Sequence, residues 1–196
     1  PSYDKAAIVQ QEIAQQLLHM MQGETFDVLL DAGCGTGFSL QGLHPTTQKL
    51  LAIDCAEGML QQAQNKCPSA TMLLADIENL PLQHESIDAV FSSLAVQWSD
   101  DLTALLGHWY RLLKPGGKIY VATLLDGSLQ EIKQSFAEVD DQKHVNNFIS
   151  KEHLTDLANK LPFQNFELHC EQYSLAYPDV SSVLKSLKAN RAVIHF

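Results

Sequence analysis

The stretch Asp31-Ala32-Gly33-Cys34-Gly35-Thr36-Gly37 decides how this chain reads, and the apolar run Phe26 to Leu30 delivers the backbone into it. Val28-Leu29-Leu30 predicts a short buried strand, and the glycines arrive before a helix can begin. Three glycines within five positions allow a sharp turn and let a ligand touch main-chain N–H groups without meeting a Cβ. Between a strand and a helix N-terminus such a loop is a nucleotide-type site, although the same residues also serve as a plain turn. The spacing is G-x-G-x-G with an acid two residues ahead, not the G-x-G-x-x-G of dinucleotide enzymes. That acid would repel a pyrophosphate and suits a ligand carrying an ammonium or sulfonium.

The following strands repeat the theme. Lys49 to Ile53 predicts a second strand ending in Asp54, whose carboxylate either accepts both hydroxyls of a ribose or caps the helix expected over 56–66. Thr71 to Ala75 predicts a third strand, again followed by an acid, Asp76. Three strands each ending in Asp is more than helix capping requires, and the carboxyl ends of parallel strands are where open α/β sheets bind ligands. Upstream, residues 4–22 carry Val9, Ile13, Leu17, Met20 and Met21 at helical spacing, with Gly23 as the stop. A short helix is expected near 38–43, ended by Pro45.

Ile87 to Phe91 predicts a fourth strand running into Ser92 to Trp98. Asp100 or Asp101 then caps a helix with Leu102, Leu105, Leu106, Trp109 and Leu113 on its buried face. Lys114-Pro115-Gly116-Gly117 reads as a turn and Lys118 to Leu124 as a fifth strand. Alternating strands and helices with short links imply a parallel sheet with helices on both faces. Beyond Asp126-Gly127, helices are expected around Leu129–Val139, over 151–160 and around Val180–Leu187, with a strand over 166–175. The chain therefore reads as a single domain: an N-terminal lid helix (1–22), a cofactor-binding core (24–125), and a substrate lid with C-terminal elements (126–196).

Bulk properties narrow the class. At 196 residues the chain can bury a sizeable core. A net charge of −10 argues against general nucleic-acid binding, which needs clustered Lys and Arg. No run of about 18 apolar residues occurs, which excludes a membrane span of that kind, and Pro1 to Lys5 do not read as a signal peptide. Cys34, Cys55, Cys67 and Cys170 form no C-x-x-C pair and no His stands at zinc-ligand spacing, so no metal site is expected; reduced thiols fit a cytoplasmic protein.

In this order, Leu30-Asp31-Ala32-Gly33-Cys34-Gly35-Thr36-Gly37, Asp54, Ala75-Asp76-Ile77, Ser86-Ile87-Asp88 and Leu113-Lys114-Pro115-Gly116-Gly117 resemble the class I S-adenosylmethionine-dependent methyltransferases. The resemblance implies an α/β, Rossmann-like fold with a mostly parallel seven-stranded sheet and S-adenosylmethionine as cofactor. It assigns Asp31 and the backbone of Gly33, Cys34, Gly35 and Gly37 to the methionine moiety, and Asp54 to the ribose. Cys55 and Met59 flank the nucleoside, Asp76 and Ile77 meet the adenine, and Ser92 and Leu94 border the methionine end.

A narrower resemblance, to the malonyl-acyl-carrier-protein O-methyltransferases of early biotin synthesis, rests on Ser93-Leu94-Ala95-Val96-Gln97-Trp98, Gly127-Ser128-Leu129, His144, Asn146, Phe148 and Ser186-Leu187-Lys188. It implies methyl transfer to the free carboxylate of a malonyl thioester on acyl carrier protein. Tyr3 is then the near-catalytic residue, Gln97 and Trp98 floor the acyl pocket, and Lys185, Lys188 and Arg191 offer a basic face to the acidic carrier. The family usually has Asn-Arg-Phe where this chain has Asn146-Asn147-Phe148, so a grip on the carboxylate moves to Lys143 or His144. The family also ends in a last antiparallel strand; Val193 to Phe196 fit it if residues are missing near 191–193. Two other readings stay open: a methyltransferase acting on a small amine, phenol or quinone precursor, with His44, His84 or His108 as base, and a non-catalytic cofactor-binding partner protein.

Overall fold

The structure, a computed structural model, describes residues 3–138, 146–179 and 181–183, with side chains from residue 8 onward. The chain divides into two compact units, Gln11–Thr123 and Pro1–Gln10 with Leu124–Phe196. Its elements, in order, are α1 (Tyr3–Met20), β1 (Phe26–Ala32), α2 (Leu40–Leu43), β2 (Thr47–Asp54), α3 (Glu57–Lys66), β3 (Thr71–Leu74), β4 (Ile87–Ser93), α4 (Leu102–Leu112), β5 (Leu113–Ala122), α5 (Gln130–Ala137) and α6 (Lys151–Lys160).

The sheet has the order β3-β2-β1-β4-β5, and every neighbouring pair is parallel. Leu29 and Leu30 on β1 point to opposite faces and are both fully buried, as are Ala89 and Val90 on β4, so both faces of the sheet are covered. One side packs Leu29, Ala52 and Phe91 with Leu17 of α1 and Met21 just beyond it, Leu40 and Leu43 of α2, and Leu60 and Ala63 of α3. Trp109, Leu105 and Leu112 make the buried stripe of α4, and each such side chain contributes about 1.5–3 kcal/mol by leaving water. From β1 the chain moves outward through β2 to β3, then crosses back to β4 and β5 on the other side. The reversal between β1 and β4 makes the crevice beyond their carboxyl ends the expected ligand site.

Several expectations need correction. Five strands form among the described residues instead of seven. Residues 166–175 form no ladder with other described residues, because alternating side chains make a strand only where a neighbour supplies hydrogen bonds. The Lys114–Gly117 turn lies inside β5: Ile87 pairs with Leu113 but Ala89 pairs with Lys118, so those four residues bulge out of the ladder. Gly117 is needed there, since a Cβ would sit 2.9 Å from the Lys114 carbonyl and 3.1 Å from that of Asp88. Leu113 accordingly opens β5 rather than closing α4. Pro45 does not end the short helix abruptly; it occupies the first turn of a 3-10 segment, His44–Thr46, where its missing N–H is not needed. Of the two candidate caps for α4, Asp101 serves, accepting from Ala104 N–H at 2.9 Å. In the second unit Leu125 bridges Ile149, and Ser150 caps α6 by accepting from His153 N–H at 3.1 Å. No helix among the described residues is long and apolar enough to cross a membrane.

Candidate functional site

The glycine turn leaves β1 pressed against the end of β2. Gly33 N–H and Cys34 N–H both donate to the Ile53 carbonyl, at 2.9 and 2.8 Å, and Gly37 N–H donates to the Cys34 carbonyl at 2.9 Å. Gly33 adopts φ +80°, and a Cβ there would lie 2.4 Å from Ala95 Cβ, so the segments after β1 and β4 approach too closely for any other residue. Gly35, at φ +52°, has nothing within 4 Å of its Cβ position, leaving an open approach to backbone.

Asp54 supports this turn. Its Oδ2 accepts from Gly35 N–H and its Oδ1 from Ala56 N–H, both at 2.9 Å. It does not cap α3, whose N-cap is Ala56. Each carboxylate oxygen keeps a second lone pair, so hydrogen bonds from ribose hydroxyls remain open to it. The bond to Gly35 is a support that sequence reading missed, because nothing in the spacing reveals a contact across nineteen positions.

Asp31 is the unusual member. It is 2% exposed, and its Oδ2 has no hydrogen-bond partner. Burial, reinforced by the Asp54 charge, pushes its carboxyl pKa up to about 8. The same burial, with both acids nearby, raises the Cys34 thiol far above its ordinary value and makes it an inert packing group. Gln97 has the other orphaned buried polar atom among the described residues: Nε2 donates to the Leu94 carbonyl at 2.7 Å while Oε1 has no partner. Two buried acceptors without donors fit a ligand that brings N–H groups and positive charge, as the methionine end of S-adenosylmethionine does.

The remaining predicted residues divide. Ser92 is fully buried at the end of β4 and its hydroxyl donates to the Ala32 carbonyl at 2.8 Å, tying β4 to β1. Leu94 holds φ +55°, a left-handed turn for a non-glycine, with its N–H on the Ala122 carbonyl at 2.9 Å. Trp98 is 43% exposed, so it is not the core anchor its size would suggest. Asp76 accepts from Glu78 N–H at 2.9 Å, and the Ile77 carbonyl accepts from Trp109 Nε1 at 2.9 Å. Cys55 is exposed and Met59 half-buried on α3. Tyr3 opens α1, and its side chain lies outside the described ones; so do Lys143, His144, Lys185, Lys188 and Arg191.

Among the candidate bases, His108 is committed to the fold, its Nε2 accepting from Leu80 N–H at 3.2 Å. His44 and His84 are exposed. At the departure from the family pattern, Asn147 Oδ1 accepts from Lys133 Nζ at 3.2 Å. Lys133 is therefore a further cation beside position 147 that sequence spacing did not single out.

Comparison with known proteins places the chain in a family. Residues 30–121 match the methyltransferase domain family. The malonyl-acyl-carrier-protein O-methyltransferase of Yersinia pestis is 40% identical over 187 residues, spanning 95% of this chain and 69% of that protein. The biotin biosynthesis bifunctional protein BioHC of Cellvibrio japonicus is 36% identical over 165 residues, 83% of this chain and 33% of that protein. Geranyl diphosphate C-methyltransferase from Streptomyces coelicolor, solved with S-adenosyl-L-homocysteine, superposes with a TM-score of 0.60 at 17% identity, over 75% of this chain and 56% of that one, a likeness of fold. With that fold, that turn and that identity over nearly its whole length, the chain belongs to the malonyl-acyl-carrier-protein O-methyltransferase family.

Proposed function

We propose that the protein methylates the free carboxylate of a malonyl thioester carried on acyl carrier protein, an early step of biotin synthesis, with S-adenosylmethionine as methyl donor. The observation that carries the reading is the buried, unpartnered Oδ2 of Asp31 beside the glycine turn, which calls for a cationic ligand. When bound, S-adenosylmethionine supplies a methyl group on a positively charged sulfur that an oxygen nucleophile can displace directly.

The chain's residues then have distinct tasks. Asp31 and Gln97 Oε1 receive the ammonium, the backbone of Gly33 and Gly35 admits the ligand closely, and Asp54 accepts the ribose hydroxyls. Asp76 and Ile77 meet the adenine, while Cys55 and Met59 flank the nucleoside. Ser92 and Leu94 border the methionine end, and Trp98 offers its ring to the acyl chain. Tyr3 shapes the pocket around the transferred methyl. A malonyl carboxylate has a pKa of about 4, so it is ionised at neutral pH and needs no base. That chemistry suits a site in which the half-buried histidine, His108, is occupied by Leu80. What the protein contributes is orientation, worth up to about 7–11 kcal/mol in well-aligned reactions. The carboxylate is gripped by Lys143 or His144 in place of the family arginine, and Lys185, Lys188 and Arg191 draw in the acidic carrier.

Mass spectrometry of malonyl-carrier protein incubated with the enzyme and S-adenosylmethionine tests this. The expected outcome is a gain of one methyl, absent with an acetyl-carrier control. No gain on the malonyl form refutes the assignment of the acceptor.

A further inference from the structure

The link between β3 and β4 carries Asp76 and Ile77, and it is fastened from α4 and the turn before it. Trp109 Nε1 donates to the Ile77 carbonyl at 2.9 Å, and Leu80 N–H donates to His108 Nε2 at 3.2 Å. Ser99 Oγ donates to Glu78 Oε1 at 2.5 Å. Inside the loop, Glu78 N–H and Asn79 N–H donate to Asp76 Oδ1 and its carbonyl, at 2.9 and 3.1 Å. The anchors are buried, with Trp109 at 0% and Leu80 at 3% exposure, while Asp76, Glu78 and Asn79 are exposed. An exposed loop has few apolar contacts to hold its shape, so these few polar fastenings set it. His108 and Trp109 are consecutive on α4 yet act on opposite groups, one accepting an N–H and the other donating to a carbonyl, at the two ends of the turn 77–80.

We propose that His108 is a positioning residue for the nucleoside of S-adenosylmethionine: by accepting from Leu80 N–H it holds Asp76 and Ile77 in the shape that receives the adenine. The inference rests on reading the strand ends as the cofactor site. It requires His108 to be neutral, with its proton on Nδ1, because a second donor at Nε2 would face the Leu80 N–H. Burial, the Arg111 guanidinium on the same helix and His84 from the loop all hold the His108 pKa below the ordinary histidine value, so the acceptor form prevails at neutral pH. Acidification then releases the loop.

The test uses the full chain with S-adenosylhomocysteine in calorimetry and S-adenosylmethionine in kinetics. His108→Ala is expected to weaken S-adenosylhomocysteine about three- to tenfold, the range of one neutral hydrogen bond, and to raise KM for S-adenosylmethionine by the same factor with kcat kept. His108→Gln, whose side-chain oxygen can accept the same N–H, restores both. The wild-type affinity falls more steeply than that of His108→Gln as pH drops below the ordinary histidine value of about 6.5; Asp31 titrates in both proteins and cancels in the difference. Folded His108→Ala that binds like wild type, His108→Gln as weak as the alanine variant, or parallel pH profiles would each overturn the inference. If the alanine variant fails to fold, the wild-type and glutamine profiles decide. Wild-type protein that binds no S-adenosylhomocysteine removes the site reading itself, a different failure from an indifferent His108.

Discussion

Where the strands begin, Asp88 accepts from Lys114 Nζ at 2.9 Å and from Val28 N–H at 2.7 Å, and Glu24 takes Lys118 Nζ on both oxygens at 2.7 Å. Where they finish, Asp54 meets only backbone N–H groups and Asp31 Oδ2 meets nothing. The electrostatics diverge in step. The Lys118 hydrogen bond holds Glu24 below its ordinary pKa; at Asp88 burial pushes upward, but Lys114 and the Val28 N–H outweigh it. Asp31, buried without a cation, is raised instead. One sheet thus carries acids that complete the fold at one end and an acid that the fold leaves incomplete at the other. A buried acceptor without a donor costs stability, and its retention beside a turn open to a ligand marks that end as the one kept for binding.

Asp31→Asn should break the comparison most severely. Removing one partner of a buried charge pair costs about 2–5 kcal/mol, so S-adenosylhomocysteine affinity should fall about thirtyfold or more in calorimetry. Ligand-free stability should move the other way. The folded pKa of Asp31 is about 8, above an unfolded value near 3.9, so its contribution is full in acid and lost as pH rises toward 8. The Asn variant lacks that decline and should unfold at an equal or higher temperature than wild type near pH 8. Binding needs the ionised acid, so wild-type affinity should climb with pH to about 8, whereas the Asn variant loses that rise and keeps only the smaller acid-side dependence that His108 contributes. A wild-type affinity indifferent to pH would remove Asp31 from the ligand.

Two glycines, one at each end, sharpen the contrast. Gly33 and Gly116 share φ +80°, but a Cβ at Gly33 would meet Ala95 Cβ at 2.4 Å, whereas at Gly116 nothing lies within 4 Å. Gly116→Ala should cost about 1–2 kcal/mol for the left-handed backbone alone. Gly33→Ala adds overpacking of about 1–3 kcal/mol and should also weaken cofactor binding, because Ala95 leads into Leu94 and Gln97. Equal shifts in denaturant midpoint would mean that the segments after β1 and β4 are not held together as tightly as the geometry requires.

How far the sequence reveals this contrast depends on distance along the chain. The glycine turn, the acids at the ends of β1 and β2 and just past β3, and the Asp100 or Asp101 cap of α4 are local patterns and can be read directly. Which acid has a partner cannot, since Val28 meets Asp88 sixty positions away and Ile77 meets Trp109 thirty-two away. Lys114-Pro115-Gly116-Gly117 reads as a turn because proline and glycine favour turns and bulges alike; the ladder to β4 decides between them. The size of Trp98 suits a core or a pocket floor alike, and only the fold shows that it follows a strand end and stays exposed. Residues 166–175 have strand-like alternation, but alternation cannot supply the neighbour that a ladder needs.

The paired end should answer weakly. The Lys114 and Asp88 side chains are 34% and 24% exposed, so solvent screens their attraction, and Lys114→Met should cost no more than about 1 kcal/mol. Its pH dependence runs opposite to that of Asp31. A carboxyl held below its ordinary value stabilises the fold above the unfolded pKa, near 3.9, and loses that contribution as pH falls through the folded value. The stability gap between wild type and Lys114→Met should therefore be full at neutral pH and close in acid, with S-adenosylhomocysteine affinity unchanged at neutral pH. A gap that persists in acid would trace to lost packing of the lysine stem rather than to the ion pair. A changed ligand affinity would mean that the beginnings of the strands communicate with their ends, and the division of labour along the sheet would not hold.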